Sequence, residues 1–243
     1  ASLSYQRPED AEKRMTPEPE QETTDWLDRS LSVWQMLKIP SVLILVLICA
    51  AVELTLEAAD AGWVGSRLWR SLAYQYGAFW EGLLYNWRPN YAAQPVSMFL
   101  SYAFLHADFA HFSGNMIALL LLARLVLART GQGGFLFIYS VSAMGGAFIF
   151  AVLTQTASPM VGASGALFGL AGAWQYWERC DLRNAGLSLM PIWRTFAALI
   201  LLNVLLWILN DGALAWQTHF GGFVFGWSAA SGLNRWQMGK DLP

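Results

Sequence analysis

Three histidines occur in the 243 residues of this chain, and each sits in a polar cluster at the edge of an apolar run. "LHADFAHFSGNM" carries His106, His111 and Asn115, and "QTHFGGFVFG" carries His219. A third stretch, "SPMVGASGALFGLAG", sets Ser164 among glycines. A serine hydroxyl becomes a nucleophile when a base takes its proton, and acyl transfer also needs donors aimed at the developing oxyanion. The sequence offers a candidate for each role: Ser164 as nucleophile, His219 as general base, and His111, Asn115 and backbone N–H groups near Ser164 as oxyanion donors. His111 and Asn115 are four residues apart and so share one helix face. His106 and His111 are five apart, roughly 140° around an ideal helix, and should not chelate one ion together. Taken alone, Ser164 has a simpler explanation, because small residues let membrane helices pack closely. The conjunction with the histidines is what carries information.

These residues need elements to hold them. The chain is 56% hydrophobic and 13% charged, where a soluble domain has about a quarter charged residues. Its apolar runs predict an all-α polytopic membrane protein with six spans, near 39–56, 108–128, 134–153, 164–178, 194–210 and 215–233. Residues 1–38 hold eight of the 17 acidic residues and three of the nine prolines, which predicts a largely flexible polar tail, and 236–243 a short second one. The first tail lacks an apolar core before a small-residue cleavage site, so no secretory signal peptide is expected in it. Under six spans, 12 of the 15 Lys and Arg residues fall on one side, which predicts both termini in the cytoplasm. Residues 61–95, the long first outer loop, hold nine aromatic residues, as suits a segment lying in the membrane interface.

With that orientation spans 2, 4 and 6 start at the outer face, and the three polar clusters fall at those ends at similar depth. Gly165 and Gly169 share a face of span 4, and His219, Gly222 and Gly226 share a face of span 6. Glycine-faced helices approach closely, which would bring Ser164 to His219. Ser164 to Trp177 is about 21 Å of helix against a hydrocarbon layer of about 30 Å. The preceding "TQTASPMVGA", with Pro159, is therefore expected to dip into the bundle and to place the serine at the bottom of a wet cavity. Asp108 and Asp211 lie in or near outer loops, so the expectation is a dyad without a carboxylate.

The remaining polar residues have plainer readings. Glu53 and Glu57 share a face of span 1 as interfacial or hydrogen-bonded groups, Asn203 and Gln155 read as helix glue or access-path residues, and Gln217 as a cavity liner. Cys49 and Cys180 lie at different depths, which disfavours a disulfide or a metal pair. H-E-x-x-H is missing, no two spans offer facing aspartates, and only His111 and His219 could serve as paired axial ligands, so no metal and no cofactor is expected. A net charge of -2 without a basic patch gives no sign of a nucleic-acid partner.

The set "HADFAHFSGN", "GASGALFG" and "HFGGFVFG" resembles the rhomboid intramembrane serine proteases in order, spacing and placement on spans 2, 4 and 6, over roughly residues 39–235. The resemblance implies a six-helix rhomboid bundle, a Ser164–His219 dyad, and an oxyanion site with contributions from His111 and Asn115. It makes His106 mainly structural and gives supporting roles to Gly162, Gly165, Gly169, Gly222 and Gly226. It further implies cleavage of transmembrane segments of single-span or other membrane proteins near the outer face. A bacterial relative would lie in the inner (plasma) membrane and open to the periplasmic side. Spans 2 and 5 and the loop at 210–216 would form lateral entry and cap. One departure concerns the outer loop. Many bacterial relatives carry Trp-Arg nine residues before the position of His106, where this chain has Ser97-Met98; Trp69-Arg70 and Trp87-Arg88 lie earlier. The alternative is a silent relative that binds transmembrane segments as a scaffold or trafficking factor. Such relatives typically lose the serine or the histidine, and both are present.

Overall fold

The computed structural model describes residues 33–154 and 156–240, so most of the expected N-terminal tail, and Gln155, lie outside the described residues. Described residues form an all-α bundle. A helical turn, Val33–Met36, leads into α1, Pro40–Asp60. Proline opens α1 without loss, because the first N–H of a helix has no intrahelical partner. Its 21 residues make about 31 Å of helix, enough to cross a bilayer.

Two short helices, α2 (Trp69–Gly77) and α3 (Gln94–Ser101), and 3₁₀ turns at Glu81–Leu84 and Tyr102–Phe104 build the long first loop. α4 follows, Phe109–Leu153, with its backbone broken at Gly131 (φ 65°, ψ -174°). That left-handed φ suits glycine and divides α4 into spans 2 and 3. Both spans run up to the break, where a loop at 129–133 had been expected. The last three helices are α5 (Ser164–Asn184), α6 (Met190–Leu209) and α7 (Trp216–Lys240).

α5 and α7 outrun the expected ends of spans 4 and 6 at 178 and 233. The physical reason in α5 is that leaving the apolar layer does not end a helix: Glu178, Arg179, Asp181 and Arg183 continue it, and Arg129 at the end of span 2 pairs with Asp181. α1, α4 and α6 are long and apolar enough to cross a membrane, with mean hydropathy between 2.0 and 2.4. α5 is less apolar because it lies inside the bundle and needs small residues more than greasy ones; ten of its residues are buried, among them Gly165, Gly169 and Gly172. The core runs from there through Tyr102, Leu119, Phe135, Ile138 and Tyr139.

Although many aromatic residues of this first loop are exposed, Trp63 and Tyr85 most of all, the loop is fastened at two points. Phe79 is fully buried, meets Phe99, Tyr102 and Phe150 edge-on, and exchanges both backbone hydrogen bonds with Met160 at 3.0 Å. This bridge ties the loop to the non-helical segment ahead of Ser164. The second point is Arg70 on α2, which pairs with Glu53 (3.0 Å), Glu57 (3.2 Å) and Asp60 at the C-terminal end of α1. The two glutamates, read as interfacial or hydrogen-bonded groups, both accept hydrogen bonds from Arg70 and serve as a counter-charge for the loop. Arg88 is exposed, so of the two Trp-Arg pairs Trp69-Arg70 is the one that clamps.

Candidate active site

Ser164 is the first residue of α5 and follows a segment, 156–163, that is non-helical. No side chain caps this helix N-terminus. The first N–H groups of a helix have no intrahelical acceptor, so those of Ser164, Gly165 and Ala166 are free to meet another one. The positive end of the helix dipole lies at the same place.

α7 brings the base. A Cβ on Gly222 would collide with the carbonyl oxygen of Gly165, and one on Gly226 with that of Gly169. Backbone therefore meets backbone along the seam, as the paired glycine faces predict. One turn before Gly222, His219 is buried and its Nε2 lies 2.8 Å from Ser164 Oγ. Phe168, one turn along α5, stacks flat on the imidazole at 4.3 Å and 7° between planes. On its far side the ring meets α6, with Nδ1 at 2.6 Å from Asn203 Oδ1. No carboxylate makes that contact; an amide does.

Opposite stand the groups from span 2. Asp108 caps α4 by accepting from the His111 N–H at 2.8 Å, so the helix starts after His106. The helical angle between His106 and His111 therefore does not apply, and their rings meet edge-on at 5.3 Å. His111 Nδ1 accepts from the Ala107 N–H at 3.3 Å. That fixes the proton on Nε2, which is left as a donor. Asn115 Nδ2 donates to the His111 carbonyl at 3.0 Å and keeps a second N–H. Gly162 is where both reach the serine segment: a Cβ there would lie 2.8 Å from His111 Nε2 and 3.8 Å from Asn115 Nδ2. The same residue has φ 122°, beyond the range of ordinary side chains, and donates its N–H to the Tyr102 carbonyl at 3.0 Å.

His106 is fully buried, away from Ser164 in its contacts, and packs on Phe112 at 5.6 Å. Its carbonyl accepts from Arg70 (3.0 Å) and from the Tyr74 hydroxyl (2.7 Å). Burial pushes the Tyr74 phenol above its ordinary pKa and keeps it a donor. The Arg70 clamp thus reaches the residue that leads into His111. Gln217, expected to line a cavity, is half-buried two residues before His219.

Besides Asn203, the site contains two groups with no counterpart among the expected ones, Phe168 and Tyr102. Phe168 was legible as the residue one turn after Ser164 on its helix face. Tyr102, buried with its hydroxyl on the Ala143 carbonyl at 2.8 Å, carries no local signal, since only the tertiary fold brings the first loop against Gly162.

A family model for the rhomboid domain matches residues 93–236, more than half of the chain. Among curated proteins, the mitochondrial rhomboid protein 1 of Saccharomyces cerevisiae is 30% identical over 146 residues, 56% of this chain and 41% of its own length. Rhomboid protease GluP of Bacillus subtilis is 32% identical over 134 residues, 53% of this chain and 24% of its own length. The chain thus spans less than half the length of either relative.

Proposed function

The chain belongs to the rhomboid family, and from that premise we propose that it is a serine endopeptidase that cuts transmembrane segments of other membrane proteins within the bilayer. The observation that carries the reading is the 2.8 Å contact between Ser164 Oγ and His219 Nε2 at the outer ends of two closely packed helices. Ser164 attacks the scissile carbonyl while His219 Nε2 takes its proton. The oxyanion then meets the His111 Nε2–H, the free amide hydrogen of Asn115 and the uncapped N–H groups at the start of α5. Each such donor is worth about 10²- to 10³-fold in turnover. His219 returns its proton to the leaving amine, and water hydrolyses the acyl-enzyme by the same route.

The basic residues collected on one side support cytoplasmic termini in the inner membrane, with Ser164 reached from the outer, periplasmic side. A substrate helix would unwind near that face, since a peptide bond inside an intact helix cannot present its carbonyl to Ser164. The scaffold reading has no observation in its favour, because both halves of the Ser–His pair are present and in contact.

The test is reconstitution of the purified protein in lipid vesicles with a labelled single-span substrate, beside Ser164→Ala and His219→Ala. Cleavage by the native chain alone is expected. Equal cleavage by all three would remove the dyad, and silence from all three would favour the scaffold. Labelling of a cysteine placed in the N-terminal tail, by a reagent confined to the outer side, would overturn the orientation.

A further inference from the structure

α6 faces outward along most of its length; Leu201, Leu205 and Ile208 are among its exposed residues, and Ile192 is its one buried residue. Its inward stripe runs Ile192, Phe196, Leu199, Asn203, Leu206, a four-and-three spacing that keeps one helix face turned to the bundle. Asn203 is the polar member of that stripe, and an unsatisfied amide in hydrocarbon is costly. Both ends of its amide are used. Nδ2 donates to the Leu199 carbonyl at 3.0 Å, which turns Oδ1 toward His219 Nδ1 at 2.6 Å.

We propose that Asn203 is a positioning residue for His219 and that it makes the proton-transfer competence of the base depend on the seat of α6. The inference rests on the dyad reading above. With its amide hydrogens turned toward Leu199, Asn203 offers His219 only an acceptor, so Nδ1 must carry the ring proton. Nε2 is then the bare nitrogen that faces Ser164, the form a general base requires. As the imidazolium forms, the same oxygen meets a charged donor, and hydrogen bonds to charged groups are stronger than neutral ones. His111 is held in the opposite form by the Ala107 N–H, so the two histidines carry their protons where their roles need them.

α6 has a second attachment to α7 through Phe196, which meets Phe223 at 5.3 Å and Trp227 at 6.2 Å. Displacement of α6 breaks the Asn203 bond and frees the ring to turn or to change tautomer. The base is set when α6 returns to its seat.

Asn203→Leu removes the acceptor at similar volume and places an apolar side chain in an apolar helix, so it is expected to fold. Asn203→Asp keeps an acceptor oxygen in the same place. Two rates are measured in vesicles for each: cleavage of the single-span substrate, split into kcat and KM, and labelling of Ser164 by a small fluorophosphonate that needs no helix displacement to enter. For Asn203→Leu both kcat and labelling should fall about 10- to 100-fold, the range for losing a hydrogen bond to a charged group, with KM nearly unchanged. Asn203→Asp should recover most of both rates. Native rates from Asn203→Leu would overturn the proposal. So would an equal loss in both variants matched by an equal fall in unfolding temperature, which would make Asn203 a packing residue. Failure of the dyad reading looks different, because native protein and Ser164→Ala would then be indistinguishable.

Discussion

α7 and α6 are neighbours in sequence and both meet at the Ser164–His219 pair, yet they hold to the molecule in opposite ways. α7 presses backbone against backbone on α5 at Gly222 and Gly226, with Phe168 stacked on His219 beside that seam. α6 keeps one residue buried and touches α7 through a few rings and one amide. Under the proposed function, the difference matches what each helix would have to do. Nucleophile and base need a separation held to a fraction of an ångström, which close backbone packing provides. A substrate helix needs a way in, and a helix that buries little can leave its place at little cost.

The largest effect is expected where the tight side is forced apart. Gly222→Val places branched carbon against the Gly165 carbonyl, a rigid neighbour that cannot step aside. Destabilisation of about 3 kcal/mol, the upper part of the overpacking range, and loss of all cleavage are expected. Thermal unfolding in detergent and the vesicle assay measure both; native activity in this variant would show that the glycine seam does not set the Ser164–His219 distance.

Next comes Gly162→Ala, one carbon in a strained place. The added Cβ meets the His111 ring at 2.7 Å and the φ of 122° is unsuited to alanine. Turnover should fall about 100-fold through displacement of an oxyanion donor, with KM little changed and backbone strain of about 1–3 kcal/mol. Gly114→Ala is the control, since its Cβ meets nothing within 4 Å; it should be neutral or stabilise slightly by raising helix propensity.

How much of this was legible in the sequence divides along the same line. The Ser164, His219, Gly222 and Gly226 positions follow from helical periodicity, because helix faces are a property of spacing and the α5–α7 contact is made of helix faces. The role of Asn203 does not follow from spacing. An asparagine in a span reads equally well as glue between helices, and one end of its amide turns back to the Leu199 carbonyl of its own helix. Only the crossing of α6 over His219 turns its other end into a partner for the base. The helical angle between His106 and His111 was carried back past the expected start of span 2 at 108, where Asp108 is a good N-cap residue. The Arg70 clamp was half legible: Glu53, Glu57 and Asp60 recur at four and three residues on one face of α1, a row of negative charge that calls for a cation.

Arg70→Ala tests whether that clamp belongs to the fixed side of the comparison. Removing the cation leaves Glu53 fully buried without its counter-charge and frees the His106 carbonyl. A loss of about 2–3 kcal/mol in unfolding is expected, below the value for a wholly buried pair because Arg70 keeps some exposure. Arg88→Ala, on an exposed residue of the same loop, should change unfolding by less than about 0.5 kcal/mol. Equal effects from the two would deny Arg70 its anchoring role.

The smallest effects distinguish the two faces of α6. Leu201 is 68% exposed, and truncation there removes contact with lipid more than with protein. Leu201→Ala should leave unfolding within about 0.5 kcal/mol and both rates unchanged. Phe196→Ala removes the rings' contact with Phe223 and Trp227 and should cost about 1 kcal/mol, the scale of an aromatic pair. It should also slow fluorophosphonate labelling of Ser164, although Phe196 touches neither Ser164 nor His219 in any contact described above, because α6 then spends less time in the seat where Asn203 holds the base. If Phe196→Ala labels at the native rate while Asn203→Leu does not, Asn203 positions His219 without any help from the seating of its helix, and the loose attachment of α6 concerns substrate entry alone.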